Sequence, residues 1–149
     1  MDAQEYYNKE EKALQWFADK QECLFTKSEG TYDAHDGWIT SGVTEFIIEA
    51  KVRKDITADK MERWGGSFLE FTKIEGLRQF KEENSHDEEI LYVNFLKDEL
   101  QIYQLPSDPT MYSWELKYLP FETAGGNKRM IYKWVTKLTP EYKIQTIKY

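Results

Sequence analysis

The stretch Thr31–Arg53, TYDAHDGWITSGVTEFIIEAKVR, decides how the rest of the chain reads. Val43–Arg53 is rich in β-branched and aromatic residues and reads as a strand. About Thr31–Ile39 reads as the strand before it, with a turn at Thr40-Ser41-Gly42, so the whole predicts a β-hairpin. Strand parity puts Val43, Glu45, Ile47, Glu49, Lys51 and Arg53 on one face and Phe46, Ile48, Ala50 and Val52 on the other. The second row is apolar and is expected to be the buried one, with Glu49 and Lys51 pointing together away from it. A three-residue turn at 40–42 sets Asp33 beside Glu49; a two-residue turn sets Ala34 there, and Asp36 is the reserve acid.

Two carboxylates and a lysine converging on a sheet surface can hold Mg²⁺ beside a phosphate. Mg²⁺ wants oxygen ligands in a near-octahedral shell and usually takes only one or two protein carboxylates. It polarises a phosphoryl oxygen and lowers the pKa of a bound water. A lysine nearby orients that water and stabilises charge on the phosphorane. The hairpin therefore points first to metal-dependent phosphodiester hydrolysis. The plainer reading is an exposed hairpin with cross-strand salt bridges, worth about 0.2–1 kcal/mol per pair. The tripeptide alone discriminates little, because Glu-x-Lys recurs at Glu10-Glu11-Lys12, Glu115-Leu116-Lys117 and Glu141-Tyr142-Lys143. Only Glu49-Ala50-Lys51 ends an apolar strand that returns from an acid-bearing arm.

A chain of 149 residues suits a single domain, 1–149, and its 40% hydrophobic and 15% aromatic content suffices for a core without staples. Cys23 is the single cysteine and no signal-peptide pattern is visible, so a reducing, cytoplasmic setting is expected. No apolar run nears the roughly 20 residues that span a bilayer, and no membrane partner is expected. The net charge of −7 argues against nucleic-acid binding by bulk attraction, although bound divalent ions reverse the local sign. Any DNA contact falls to local basic clusters: Lys51-Val52-Arg53-Lys54, Lys73/Arg78/Lys81, and Lys128-Arg129 with Lys133 and Lys137.

Along the chain, residues 3–20 predict an amphipathic helix with Tyr6, Ala13, Leu14 and Phe17 on its apolar stripe. Glu10 lies within that stripe, where a carboxylate is costly without a partner. Thr57 or Ser67 could N-cap a helix after the hairpin, and Trp64-Gly65-Gly66 separates a short helix from a longer one at roughly Phe68–Glu83. On that second helix Lys73 falls among Leu69, Gly76, Leu77 and Phe80. Ile90–Phe95 and Leu100–Leu105 predict a hairpin around Lys97-Asp98; Met111–Tyr118 and Met130–Leu138 predict two further strands, and the tail from Thr139 is ambiguous. His35 shares the parity of Asp33, whereas His86 sits in a polar loop. Trp38, Trp64, Trp114 and Trp134 could stack on bases, with packing as the commoner role. No Cys/His cluster suggests zinc, and the Thr123–Lys128 loop lacks P-loop spacing.

With these residues in place, the chain resembles the PD-(D/E)XK nuclease superfamily over roughly residues 6–105. Glu49-Ala50-Lys51-Val52-Arg53 looks like the E-x-K-x-R version in small phage-type and Holliday-junction-resolvase-like members, and Glu70-Phe71-Thr72-Lys73 resembles the E-x-x-K of phage-type members. Asp33 follows Tyr32 where the family has proline. The resemblance implies a restriction-endonuclease-like αβββαβ core, with a mixed central sheet flanked by helices and extra C-terminal β-strands. It implies a DNA hydrolase, endo- or exonuclease, with Mg²⁺ or Mn²⁺ held by Asp33, Glu49 and the Ala50 carbonyl. Glu10 becomes the candidate helix acid, Lys51 the group that activates water, and Lys73 a contact to the scissile phosphate. The DNA partner, single-stranded, duplex or branched, and a homodimer are expectations of the same kind. Two rival readings use the same sequence: a catalytically inactive nuclease-fold binding module, and an acidic DNA-mimic inhibitor, for which the −7 charge is the argument.

Overall fold

A computed structural model describes residues 3–27, 37–41, 44–53, 55–83, 89–121 and 129–148. Helix α1 spans Ala3–Lys20, as the apolar stripe predicts. The amides of Gln21 and Cys23 close its end by donating to the carbonyls of Phe17 (3.0 Å) and Ala18 (2.8 Å). This turn places Glu22 at φ 55°, in the left-handed region that favours glycine. Strands β1 (Leu24–Lys27), β2 (Gly37–Ser41) and β3 (Thr44–Arg53) form an antiparallel meander. Gly37 lets β1 and β2 approach, since a Cβ there would lie 2.2 Å from the Thr26 carbonyl oxygen.

The chain then crosses over through α2 (Ala58–Arg63), β4 (Phe68–Glu70) and α3 (Phe71–Glu83). Thr57 caps α2 by accepting from the Lys60 amide at 3.2 Å. Strand β5 (Glu89–Leu96) returns parallel to β3, and β6 (Glu99–Leu105) pairs antiparallel with β5. Strands β7 (Glu115–Pro120) and β8 (Met130–Lys137) join β4 in a second, three-stranded sheet of order β4-β8-β7. The last strand, β9 (Lys143–Lys148), pairs with β6 and completes a mixed sheet of order β1-β2-β3-β5-β6-β9. The expected fold class therefore holds: helices flank a mixed central sheet, and extra strands follow the core.

Several local expectations are corrected. Phe68–Glu70 is extended rather than the first turn of α3, because it pairs with Val135–Lys137 from far along the chain. Ser67 is buried and caps nothing; its carbonyl accepts from the Leu138 amide at 2.8 Å. Pro109–Met111 is a short 3₁₀ turn, so β7 starts only at Glu115. The hairpin register pairs Ser41 with Thr44 and Gly37 with Ile48, so the expected three-residue turn at 40–42 does not hold. The earlier arm is described from Gly37 onward.

The largest correction concerns burial. Both faces of β3 are covered. Leu14, Phe17 and Ala18 of α1 pack on Ile48 and Ala50, while Ile74 and Leu77 of α3 pack with Ile47 on the opposite face. A strand inside a mixed sheet with a parallel neighbour is buried on both sides. Glu49 is thus buried against the α3 layer, and Lys51, on the same face, is half-buried.

Candidate active site

Parity along β3 brings Ile47, Glu49, Lys51 and Arg53 to the α3 side, beside Ile90, Tyr92, Asn94 and Leu96 of β5 in register. Ile47 anchors this row in the core, and the polar residues follow it toward the strand's end. Glu49 is only 4% exposed. Lys73, in the first turn of α3, answers it across the layer, with Nζ 3.0 Å from Oε1 of Glu49. The other carboxylate oxygen, Oε2, is buried and accepts no hydrogen bond among the described residues. Leaving a buried acceptor unmade costs about 1–3 kcal/mol, and more when it is charged. A fold retains such an atom at a cost that a bound cation removes.

Beyond Glu49 the polar row is tightly connected. Asn94 is fully buried; its carbonyl accepts from Nη1 of Arg53 at 2.5 Å, and its amide reaches Oγ of Ser67 at 3.5 Å. The Tyr92 hydroxyl accepts from the same guanidinium nitrogen at 3.5 Å. Asparagine in the middle of an apolar strand is unfavourable unless its amide is satisfied. Here it fixes the position of a cation on the face that carries Glu49 and Lys51. Sequence reasoning missed Asn94; its polarity between Val93 and Phe95 was the available signal.

Glu10 is 4% exposed, as its place in the apolar stripe requires. It continues the row of Leu14 and Phe17 on α1, which pack on Ile48 and Ala50. Asp33, Asp36, His35 and His86 lie outside the described residues. Among the described residues, no three His, Cys, Asp or Glu side chains converge as a metal-binding group. The buried, unbonded Oε2 of Glu49 fits a hard divalent cation in kind, but the described acids do not complete its shell.

Other sequence candidates are absorbed elsewhere. Glu70 pairs with Lys133 at 2.8 Å, so the Glu70-x-x-Lys73 spacing does not form a local pair. Arg78 binds Glu75 and Glu82 on its own helix, and Lys137 lies 3.5 Å from Glu62. Trp38 packs against Phe80 and Trp114 against Phe71 and Tyr112, whereas Trp64 and Trp134 remain exposed. No described helix is long and apolar enough to cross a membrane.

Among solved structures, the fold is similar to that of Hjc, a Holliday junction resolvase from the archaeal hyperthermophile Archaeoglobus fulgidus. The TM-score is 0.50 at 16% identity, covering 87% of this chain and 82% of that one. At this identity the likeness speaks for the fold alone. No family model and no curated protein sequence matches the chain.

Proposed function

We propose that the protein is a metal-dependent DNA phosphodiester hydrolase of the PD-(D/E)XK type. The observation that carries this reading is Glu49, a buried carboxylate with one oxygen on Lys73 and the other without a hydrogen bond among the described residues, two positions from Lys51. The fold shared with a resolvase supports it. Glu49, an aspartate of the preceding arm (Asp33 or Asp36) and the Ala50 carbonyl would hold Mg²⁺ or Mn²⁺, with Glu10 as an outer ligand from α1. That ion, when bound, supplies polarisation of the phosphoryl oxygen and a more acidic water. Lys51 would orient and activate the attacking water and stabilise the charge that develops on the phosphorane. Lys73 exchanges its contact with Glu49 for the scissile phosphate, and Arg53, held by Asn94, adds positive charge further along the same face. The fold shared with a junction resolvase favours structure-selective cleavage, with single-stranded, duplex and branched DNA as the substrates to compare.

The test is cleavage of those three DNA forms with Mg²⁺, Mn²⁺ or EDTA, beside Lys51→Ala and Glu49→Gln. Metal-dependent cutting that is lost in both variants establishes the enzyme, and the preferred form names its class. Folded protein that cuts none of the three with metal present would sink the reading.

A further inference from the structure

A second feature lies between α1 and the end of β5. Lys9, Lys12 and Trp16 follow one another at three- and four-residue spacing and so share one helix face. They enclose, with Phe95, Leu96 and Lys97 at the end of β5, a cavity of about 410 Å³. This volume lies within the range of small-molecule sites, roughly 300–1,000 Å³. Its floor is apolar, as Phe95 and Leu96 are buried, and its wall is the indole of Trp16, 41% exposed. The turn that carries Lys97 is pinned: its amide donates to the Ile56 carbonyl at 2.9 Å, and Asp98 accepts from the Ala58 amide at 2.9 Å.

The charge on this cavity is unusual for the chain. Several other lysines sit against carboxylates, Lys27 on Glu11 at 3.1 Å, Lys133 on Glu70 at 2.8 Å and Lys148 on Glu99 at 2.5 Å, while Lys20 lies 6.0 Å from the centre of the Trp16 ring. Among the described residues, Lys9, Lys12 and Lys97 form no ion pair, yet all three border one cavity in a protein of net charge −7. Three lysines bordering one cavity call for negative charge, and a flat indole beside an apolar floor calls for a flat apolar face. Phosphate joined to an aromatic base meets both requirements.

We propose that this cavity binds a nucleotide unit, with its phosphate on Lys9, Lys12 and Lys97 and its base against Trp16. The unit is either a free nucleotide or one residue of a single strand. The cavity is independent of the hydrolase reading, since none of these side chains belongs to the Glu49 site.

The experiment is equilibrium binding in EDTA, so that no cleavage intervenes, with full-length wild type, Lys9→Gln/Lys12→Gln/Lys97→Gln and Trp16→Leu. The probes are deoxyadenosine monophosphate, a short single-stranded oligonucleotide and inorganic phosphate. All four substituted side chains reach solvent, and circular dichroism checks that each variant folds. Mononucleotide binding weakened about tenfold or more by either variant establishes a free-nucleotide site. Oligonucleotide binding alone, with the salt slope reduced by about 0.7 in the lysine variant, as the loss of one phosphate contact requires, establishes a strand subsite. Three results would each overturn the proposal: no binding of any probe, affinities unchanged in both variants, or phosphate binding as tight as the nucleotide with no effect of Trp16→Leu. DNA cleavage retained in the lysine variant separates such a failure from failure of the active-site reading.

Discussion

The ammonium of Lys73 sits 3.0 Å from Oε1 of Glu49, a carboxylate otherwise sealed between β3 and α3. This contact joins the crossover helix to the strand that bears the Glu-x-Lys pair. Removing one partner of a buried pair strands the other charge, at about 3–5 kcal/mol when both are fully buried. Lys73 is partly exposed, so Lys73→Met is expected to lower stability by about 2 kcal/mol in urea denaturation. Adding Glu49→Gln to that variant should restore part of the loss, and additive effects in the double-mutant cycle would show that the pair is not coupled.

The hairpin register bears on which aspartate serves the site. Gly37 stands opposite Ile48, the residue before Glu49, and Asp36 is bonded directly to Gly37. Asp36→Asn is therefore expected to reduce cleavage about 100-fold, more than Asp33→Asn does. The reverse order would return the role to Asp33. Magnesium should also raise the melting temperature of wild type and not of Glu49→Gln; at 100 times its Kd the gain is about 2.7 kcal/mol.

Alkaline pH should expose the cost of burying Tyr103. Burial pushes its phenol up to about 12 from 10.0, with Tyr92, Glu62 and Glu99 adding to the effect and Arg53 opposing it. The unfolded chain then gives up this proton first, so stability falls as pH rises from 10.0 toward about 12, by up to ~3 kcal/mol. Tyr103→Phe should flatten that fall in denaturation curves taken at both ends of the window. Burial raises the phenol of Tyr112 in the same direction, so part of the slope should remain.

At the end of α1, Glu22 holds a left-handed backbone at φ 55°. A side chain pays about 1–2 kcal/mol there, and glycine does not. Glu22→Gly is expected to stabilise the protein by about 1 kcal/mol in thermal unfolding, although it removes an exposed charge. A decrease would mean that the unfolded chain's added freedom outweighs the relieved strain.

Long, locally patterned elements were legible in the sequence. The stripe of Leu14 and Phe17 set the limits of α1, Thr57 marked the start of α2, and Lys97-Asp98 marked the turn between β5 and β6. Lys73 was legible in part: its wheel position beside Leu77 and Phe80 turned it inward, although Leu69, counted on the same wheel, belongs to β4. Elements defined by distant partners were not. Phe68–Glu70 is extended because Val135–Lys137 pairs with it, and β9 alternates too weakly to declare itself without β6. The covered second face of β3 was announced in sequence only by Val43 and Ile47, in a row otherwise read as polar. Asn94 went unnoticed because its role depends on Arg53, a neighbour only across the sheet.

Because β3 and β5 are parallel, no tight turn can join them; the chain between them must fold as a crossover. Lys73 lies inside that crossover and Glu49 before it. A nascent chain that has emerged only as far as β3 therefore carries Glu49 as an ordinary hydrated surface acid. The pair forms when α3 docks, and the sheet beside it closes when β5 arrives, a non-local and hence slow step. Reactive geometry and native topology are completed together, so a half-made or partly unfolded chain lacks the assembled site.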